Sequence, residues 1–341
     1  METQVRYLEG DITRGFLMNP HLAGIHHVTA VASDPQGNVD FYVGVLGLRL
    51  IKRTVNFDDP GTYHLYYGDG AGSPGTIMTF FPWPGAPRGK VGAGQVGVTS
   101  FSIPKGAVSY WQDRLAQRGV EVEDPAPRFG EQAIAFADPD GLPLELIAAV
   151  HDPRAGWLHG PVPAGNAIRG FHGVTLLERG EDRCAPTQSL LASMDFRLLH
   201  QDGDRYRYTA DGSDGTPSTA GLVDVLCRPG LPLGQIAAGT VHHVAWRTPD
   251  DAQQLAWRQR IRELGIGVTE VRDRQYFRSI YFREPGGVLF EIATDLPGFT
   301  TDEPLDRLGT DLKLPPWLES RRAALERALP PIRIPEAVKG I

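Results

Sequence analysis

Four stretches of this chain repeat one local pattern, and that repeat constrains the fold more than any other feature. Each stretch opens with a short β-rich run bounded by glycine, which is typical of a strand. The starts lie roughly 70–75 residues apart, longer than the usual solenoid period. The opening runs are Ile25–Val31, Val96–Ser102, Phe171–Leu177 and Val241–Arg247.

Each opening run leads into a helical pattern and then into three further strand-like runs. The predicted helices are Asn38–Val45, Val108–Gln117, Thr187–Ser193 and Asp251–Leu264. In the last of these, Leu255, Ile261 and Leu264 recur near helical spacing, and Gly265 is predicted to end the helix. The predicted last strands are Thr76–Phe81, Leu142–Ile147, Leu222–Leu226 and Val288–Ala293. The sequence therefore predicts an α+β fold of four βαβββ modules.

The length of 341 residues exceeds the size at which one core usually keeps growing, so two domains are expected. A run rich in proline and glycine at 151–167 is predicted to be the linker. The predicted N-terminal domain covers 1–150, with modules at about 24–83 and 94–150. The predicted C-terminal domain covers 168–300, with modules at about 168–228 and 239–295. Residues 301–341 are expected to form a helical extension, with Leu318, Leu325 and Leu329 on one apolar stripe that packs on the body.

Charge and composition exclude several kinds of binding partner and cellular environment. The formal net charge is −7 without a basic cluster, which argues against nucleic acid and anionic membranes as partners. No apolar run is long enough to span a bilayer, and the N-terminus lacks the apolar stretch of a signal peptide. Cys184 and Cys227 form neither a disulfide framework nor a zinc pattern. We expect them to be buried or idle thiols in a reducing cytoplasm. The sequence leaves open whether the protein forms a homo-oligomer.

Two histidine pairs and one carboxylate stand at repeated positions of the modules. Across modules one to four, the position near the start of the first strand holds His27, Gly97, Gly173 and His243, and the last-strand position holds Thr79, Glu145, Asp224 and Glu291. If modules one and four pair, His27, His243 and Glu291 meet as a facial triad, a set that leaves coordination positions open on Fe(II). Modules two and three would then be structural, with Glu145 and Asp224 as polar core or surface groups.

Alternation along a strand decides which histidine of each pair points inward. Successive strand residues face opposite sides, so His27 and His243 share the inward face, with Thr29 two residues along. His26 and His242 then either orient the ligands and pass protons, or only satisfy local hydrogen bonds. His172 has little support as a ligand. We expect His21, His64, His151, His159 and His200 to be surface or loop residues.

These residues resemble the vicinal oxygen chelate superfamily, and within it the hydroquinone and chlorohydroquinone ring-cleaving dioxygenases and related bacterial glyoxalase-family proteins. The likeness runs through nearly the whole length, and includes the two segments V-H-H-V-A and P-G-G-V-L-F-E around His243 and Glu291. It also includes Gly47–Val55, Tyr63–Tyr67, Phe101–Gly106, Arg169–His172 and Leu308–Lys313. The resemblance implies two open mixed-sheet barrels built from the four modules.

The resemblance also implies a site and an activity. Its iron ligands carry over onto His27, His243 and Glu291; its neighbouring groups onto His26, Thr29 and His242; and its pocket arginine and tyrosine onto Arg274 and Tyr281. It implies an Fe(II)-dependent, extradiol-type dioxygenase that takes a hydroquinone or catechol and dioxygen, with zinc, nickel or manganese able to replace iron on purification. Two alternatives stay open: a metal-dependent isomerase or thiol transferase of glyoxalase type, and a non-catalytic protein that binds aromatic ligands.

Overall fold

The structure is a computed structural model that describes residues 20–123, 129–211 and 217–335. Module one comprises β1 (Ile25–Ala32), α1 (Pro35–Val39) with a π-helical continuation (Asp40–Val45), β2 (Arg49–Val55), β3 (Tyr63–Gly68) and β4 (Ile77–Pro82). Module two comprises β5 (Gln95–Pro104), a 3₁₀ turn (Lys105–Ala107), α2 (Val108–Gln117), β6 (Val122–Glu123), β7 (Ala133–Ala137) and β8 (Pro143–Ala149).

The second half of the chain repeats this order. Module three comprises β9 (Gly170–Glu178), α3 (Glu181–Ser193), β10 (Phe196–Asp202), β11 (Arg205–Asp211) and β12 (Pro217–Cys227). Module four comprises β13 (Thr240–Thr248), α4 (Asp251–Glu263), β14 (Arg272–Asp273), β15 (Arg278–Arg283) and β16 (Leu289–Thr294). The βαβββ unit is therefore confirmed in all four modules.

The strands form two eight-stranded mixed sheets, each made from one module of either half of the chain. Modules one and four form the first sheet, in the order β14-β15-β16-β13-β1-β4-β3-β2. Modules two and three form the second sheet, in the order β10-β11-β12-β9-β5-β8-β7-β6. In both sheets the first strands of the two modules run antiparallel at the centre. The predicted fold class and the pairing of modules one and four are confirmed, whereas the division into two consecutive domains stays a prediction.

Local sequence explains where two of the helices begin. Asp34 caps α1, since its carboxylate accepts hydrogen bonds from the backbone N–H groups of Gln36 and Gly37. Asp250 caps α4 in the same way through the N–H of Gln253. The buried face of α4 consists of Gln254, Trp257 and Ile261. The predicted helix is present, but of the three apolar residues that recur near helical spacing only Ile261 is buried. Leu255 and Leu264 are exposed, and Trp257 is buried in their place.

The strand register defines the residues that are equivalent in the four modules. The last-strand residues Thr79, Glu145, Asp224 and Glu291 pair with Thr29, Ser100, Thr175 and Ala245 on the first strands. Counting back two residues, His27 and His243 are equivalent to Gly173 and to Val98. The placement of Gly97 at this position is therefore wrong by one residue, because a register shift between Val96 and Val98 interrupts the pairing of β5 with β9.

At the positions equivalent to the histidine site of the first sheet, the second sheet contains buried charged and polar groups. Asp224 accepts hydrogen bonds from Arg205 and Arg207, and Ser100 donates to Glu145 at 2.7 Å. Arg207 and His172 both contact Glu131. Of the two places expected for Glu145 and Asp224, core or surface, the structure shows the core, since both are buried.

Cys184 and Cys227 form a disulfide, so the expectation of two idle thiols is wrong. Cys184 lies on α3 and Cys227 ends β12, with Cα atoms 5.9 Å apart, a separation that a disulfide spans. The two residues are 43 positions apart in sequence, and only the packing of α3 on β12 brings them together. The cytoplasmic location loses this support and stays a prediction.

The segment after β16 packs on the first sheet. It contains 3₁₀ turns at Phe299–Thr301, Leu305–Arg307 and Pro316–Arg321, and then α5 (Arg322–Ala328). Leu318, Leu325 and Leu329 are buried, which confirms the predicted apolar stripe. Lys52 of β2 anchors this segment, because its fully buried ammonium group lies 2.6 Å from Asp302 and 2.5 Å from Glu303. Among the described residues, no helix combines the length and the apolar character that crossing a membrane requires.

Candidate metal centre

His27, His243 and Glu291 meet at one point in the first sheet. The Nε2 atoms of the two imidazoles are 3.4 Å apart. Oε2 of Glu291 lies 3.0 Å from Nε2 of His243 and 3.4 Å from Nε2 of His27. All three side chains are buried, and no other group of three or more histidine, cysteine or acidic residues among the described ranges could hold a metal ion.

The sheet register explains why residues so far apart in sequence converge. Ala245 on β13 pairs with His27 on β1 and with Glu291 on β16, so those two side chains stand at one level on the same face. His243 precedes Ala245 by two residues and shares that face. The predicted convergence of modules one and four is confirmed.

The neighbouring histidine of each pair binds the ring of the inward histidine. Nδ1 of His26 lies 2.9 Å from Nδ1 of His27, and Nδ1 of His242 lies 2.8 Å from Nδ1 of His243. In each pair one Nδ1 must donate and the other accept. A proton on Nδ1 of the inward ring leaves its Nε2 with a lone pair for a metal, as is usual for metal-bound histidine. Ser279 donates a hydrogen bond to Oε1 of Glu291, which leaves Oε2 facing the imidazoles.

Burial and charge set the protonation of these groups. Burial raises the pKa of Glu291, but His27 and His243 outweigh this effect and hold it well below the usual range. Burial lowers the pKa of His243, and Glu291 opposes the shift only in part. Burial together with His243 lowers the pKa of His242 to about 3. Ionised carboxylate beside neutral imidazole is the state in which these groups bind a divalent cation.

The donor set fits a metal ion. Oε2 of Glu291 is fully buried and has no hydrogen-bond partner of acceptable geometry, although both imidazoles are close. A buried carboxylate oxygen in that position is costly unless something electropositive lies at the point where the three atoms converge. Two imidazole nitrogens and one carboxylate oxygen suit Fe(II), and also zinc, nickel or manganese.

A cavity of about 380 Å³ opens beside the triad, and it is lined by aromatic rings and a few polar groups. Arg274 and Tyr281 lie on its wall, where Nε of Arg274 donates to the Tyr281 hydroxyl at 3.0 Å. Asp58, on the loop after β2, lies 3.0 Å from the Arg274 guanidinium and reaches the cavity from module one. His242 also lines the cavity, whereas Thr29 and His26 are buried behind it.

The sequence prediction missed His64, which is neither a surface nor a loop residue. It lies on β3, lines the cavity and binds the Thr79 hydroxyl through Nε2 and the Tyr66 hydroxyl through Nδ1, both at 2.8 Å. Thr79 in turn lies 2.9 Å from the Thr29 hydroxyl, so the fourth inward position holds a hydrogen-bonded hydroxyl. The repeat could have revealed this, because His64 is equivalent to Ser279, the residue that binds Glu291.

The remaining histidines have other environments. His172 lies 2.7 Å from Glu131, an ion pair within the second sheet. His151, His159 and His200 are exposed, and His21 lies in the segment before β1, as predicted for surface or loop residues.

Comparison with known proteins identifies the family. The model of the Glyoxalase/Bleomycin resistance protein/Dioxygenase superfamily matches residues 24–146 and 157–292. The chain belongs to this superfamily. It is 49% identical to "Putative ring-cleaving dioxygenase MhqO" of Bacillus subtilis (strain 168), over 92% of this chain and 97% of that protein. It is 38% identical to the "Chlorohydroquinone/hydroquinone 1,2-dioxygenase" of Sphingobium indicum, over 90% of this chain and 95% of that protein.

A solved structure agrees with these relatives over the same span. The crystal structure of a "putative dioxygenase from Bacillus subtilis subsp. subtilis str. 168" superposes with a TM-score of 0.87 and 48% identity. The match covers 93% of this chain and 99% of that chain.

Proposed function

We propose that this protein is an Fe(II)-dependent, extradiol-type ring-cleaving dioxygenase that acts on an aromatic diol of hydroquinone or catechol type. The observation that supports it most is the convergence of His27, His243 and Glu291, with the orphaned Oε2 of Glu291, beside an aromatic cavity. Fe(II), when bound, keeps coordination positions open on one face and allows dioxygen to react with an electron-rich ring. The names of the relatives favour the same activity.

Each polar group of the site has a role that follows from its contacts. Arg274 carries a fixed positive charge that favours an ionised oxygen of the diol beside it. Tyr281 accepts a hydrogen bond from Arg274, so its own hydroxyl hydrogen can be donated to a bound oxygen. Burial raises the pKa of Tyr281, with Glu291 adding to the shift, and this keeps the phenol protonated. His26 and His242 orient the two ligand rings.

Asp58 places a negative charge beside Arg272 and Arg274 at the cavity before the substrate binds. Its carboxylate compensates the Arg274 guanidinium at 3.0 Å, and it is 59% exposed, so it can turn toward solvent at little cost. An ionised diol or a ring-opened acid would take its place beside Arg274. The site therefore suits a substrate that arrives or leaves with a negative charge.

Oxygen uptake tests the proposal. Protein loaded anaerobically with Fe(II) should consume one dioxygen per hydroquinone or catechol and break one ring C–C bond. One atom of ¹⁸O₂ should enter the new carboxylate and the other the new carbonyl group, so that product reduced at once, before the carbonyl oxygen exchanges with water, carries two labelled atoms in the mass spectrum. Zinc-loaded protein is the matched control and should consume no oxygen.

The principal alternative is an isomerase or thiol transferase of glyoxalase type. Thr79 disfavours it, because a fourth protein ligand would be expected at that position and the hydroxyl is bound to Thr29 and His64 instead. Turnover of a ketoaldehyde that requires a thiol and consumes no oxygen would favour the alternative and contradict the dioxygenase. Binding of diols without turnover by the iron-loaded protein would favour the non-catalytic binding protein.

A further inference from the structure

Tyr66 on β3 occupies the place in module one that Tyr281 on β15 occupies in module four, and these two strands lie on opposite sides of the central β13–β1 pair. Tyr66 pairs with Thr79 on the last strand of its module as Tyr281 pairs with Glu291. Both tyrosines line the cavity. The cavity therefore has two phenols on opposite walls, of which the family resemblance assigned a role only to Tyr281.

The hydroxyl of Tyr66 belongs to a chain of hydrogen bonds that ends inside the protein. It lies 2.8 Å from Nδ1 of His64, whose Nε2 lies 2.8 Å from the Thr79 hydroxyl. Thr79 continues the chain to Thr29 at 2.9 Å. The ring of His64 is also fixed between Tyr66 and Phe81, with centroids 4.0 and 4.4 Å away. The Tyr66 hydroxyl is therefore held in one place before any ligand binds.

The two walls differ in charge. Tyr281 is bound by the Arg274 guanidinium, whereas Tyr66 is bound by an imidazole that is neutral. Burial lowers the pKa of His64 well below its usual value, and His27, His243 and Arg274 lower it further. Burial likewise raises the pKa of Tyr66 well above its usual value.

A neutral imidazole has one donor and one acceptor nitrogen, so the chain can run in either direction. In one direction Tyr66 donates to His64 and offers a lone pair to the cavity. In the other direction His64 donates to Tyr66, and the phenol offers its hydrogen. A hydroxyl group, which is itself both donor and acceptor, matches this wall better than an anion does.

We propose that Tyr66, positioned by His64, binds the un-ionised hydroxyl group of an aromatic diol while Arg274 and Tyr281 bind its ionised oxygen. The proposal rests on the proposed function, since it assigns the second oxygen of that substrate. Tyr66 and His64 then make the protein select diols over phenols with a single oxygen. A pocket built to hydrogen-bond a hydroxyl rejects the analogue that lacks it, because its buried polar groups are left unpaired.

Equilibrium binding to zinc-loaded protein under nitrogen tests this assignment without turnover. The dissociation constants of hydroquinone and phenol are measured by calorimetry for wild type, Tyr66→Phe and Tyr281→Phe. Wild type should prefer hydroquinone, and Tyr66→Phe should reduce that preference about tenfold, the loss of one hydrogen bond. Tyr281→Phe is the matched control; it should weaken both ligands and leave their ratio unchanged, because both offer the oxygen that it binds.

Substitutions at His64 separate positioning from general packing. In His64→Asn the amide oxygen can replace Nδ1 as the acceptor from Tyr66, so the preference for hydroquinone should be largely kept. His64→Leu has no acceptor and should lose the preference as Tyr66→Phe does. Bound zinc should stay at one equivalent per chain in all these variants, which shows that the triad is intact.

Three results would overturn the assignment. An unchanged hydroquinone preference in both Tyr66→Phe and His64→Leu would do so while leaving the dioxygenase proposal in place. Equal weakening of hydroquinone and phenol by Tyr66→Phe would assign the residue to packing. Failure of wild type to bind either hydroquinone or catechol would overturn both this assignment and the proposed function.

Discussion

Thr79 and Glu291 occupy equivalent positions on the last strands of modules one and four, yet only Glu291 offers a charged carboxylate as a metal ligand. Thr79 pairs with Thr29 on β1, and Glu291 pairs with Ala245 on β13. The Thr79 hydroxyl is bound to Thr29 and His64, whereas Oε2 of Glu291 faces two imidazole nitrogens. This difference limits the candidate centre to three protein ligands.

Replacement of Glu291 by alanine should therefore abolish metal binding. Two neutral imidazoles remain, and without the carboxylate they hold a divalent ion far more weakly. Elemental analysis after dialysis should give one equivalent for wild type and near zero for the variant. Glu145→Ala is the matched control, because Glu145 is the equivalent residue of module two and lies in the second sheet; it should keep one equivalent. A fully metallated Glu291→Ala would show that the triad is misassigned.

His26 should strengthen metal binding without touching the metal. When Nε2 of His26 donates a hydrogen bond to the backbone of Thr294, Nδ1 of His26 can accept one from Nδ1 of His27. This arrangement leaves a lone pair on Nε2 of His27 that faces the centre. Removing such an orienting partner typically costs 10–100-fold in metal affinity. His26→Phe should therefore raise the dissociation constant for zinc about 10–100-fold in a chelator competition.

The control for His26 is a residue of the same kind outside the site. His172→Phe removes an imidazole that contacts Glu131 in the second sheet, and it should leave the zinc affinity unchanged. An unchanged affinity in His26→Phe would assign His26 to local packing alone, which was the alternative left open by the sequence.

The repeat made the module order, the pairing of modules and the three candidate ligands predictable from the sequence. Register is set by the side-chain period of two, so equivalent positions could be compared across modules without coordinates. His64 lies on β3, the third strand of module one, so the equivalence of first and last strands does not reveal its role. Gly97 was misplaced because a register shift, which leaves no mark in the residue pattern, displaces β5 by one residue.

The disulfide shows a different limit of sequence reasoning. Cys184 and Cys227 lie on a helix and a strand of one module, and the distance between them depends on how α3 packs on the sheet. Leu255 and Leu264 illustrate the same point, since the burial of α4 is decided by the large ring of Trp257. Tertiary packing, and not local pattern, determines these features.

Lys52 should be essential for the stability of the segment that follows β16. Its ammonium is fully buried and contacts Asp302, Glu303 and the carbonyl of Phe299. Lys52→Met leaves the buried Glu303 carboxylate without its counterion, a change that typically costs about 3–5 kcal/mol. Urea denaturation should show this loss, and hydrogen exchange should rise first in residues 299–314.

The exposed pair of Arg228 with Asp204 provides the contrast for Lys52. Its side chains are 59% and 45% exposed, so Arg228→Met should cost less than about 1 kcal/mol. A similar small loss in Lys52→Met would show that the buried ion pair does not anchor the segment.

The ionised carboxylate of Glu131 should stabilise the protein near neutral pH, and this contribution should be lost in acid. Burial raises the pKa of Glu131, but hydrogen bonds and charges from His172 and Arg207 outweigh it and bring the pKa to about 2, below the ordinary 4.5. Since the folded pKa is the lower one, Glu131 stabilises the protein above pH 4.5, and this contribution is lost as the pH falls toward 2. The shift corresponds to at most about 3 kcal/mol at neutral pH.

Comparison of wild type with Glu131→Gln isolates this contribution from those of other carboxylates. At pH 7 the variant should unfold at a lower urea concentration than wild type. Its free energy of unfolding should be lower by up to about 3 kcal/mol, because the amide carries no charge to pair with Arg207. The difference should shrink as the pH falls below 4.5 and vanish only below pH 2, where the wild-type carboxyl also becomes neutral. Zinc content should stay unchanged, since Glu131 lies in the second sheet. A difference that is constant from pH 7 to pH 2 would mean that Glu131 stabilises the sheet through packing and not through its charge.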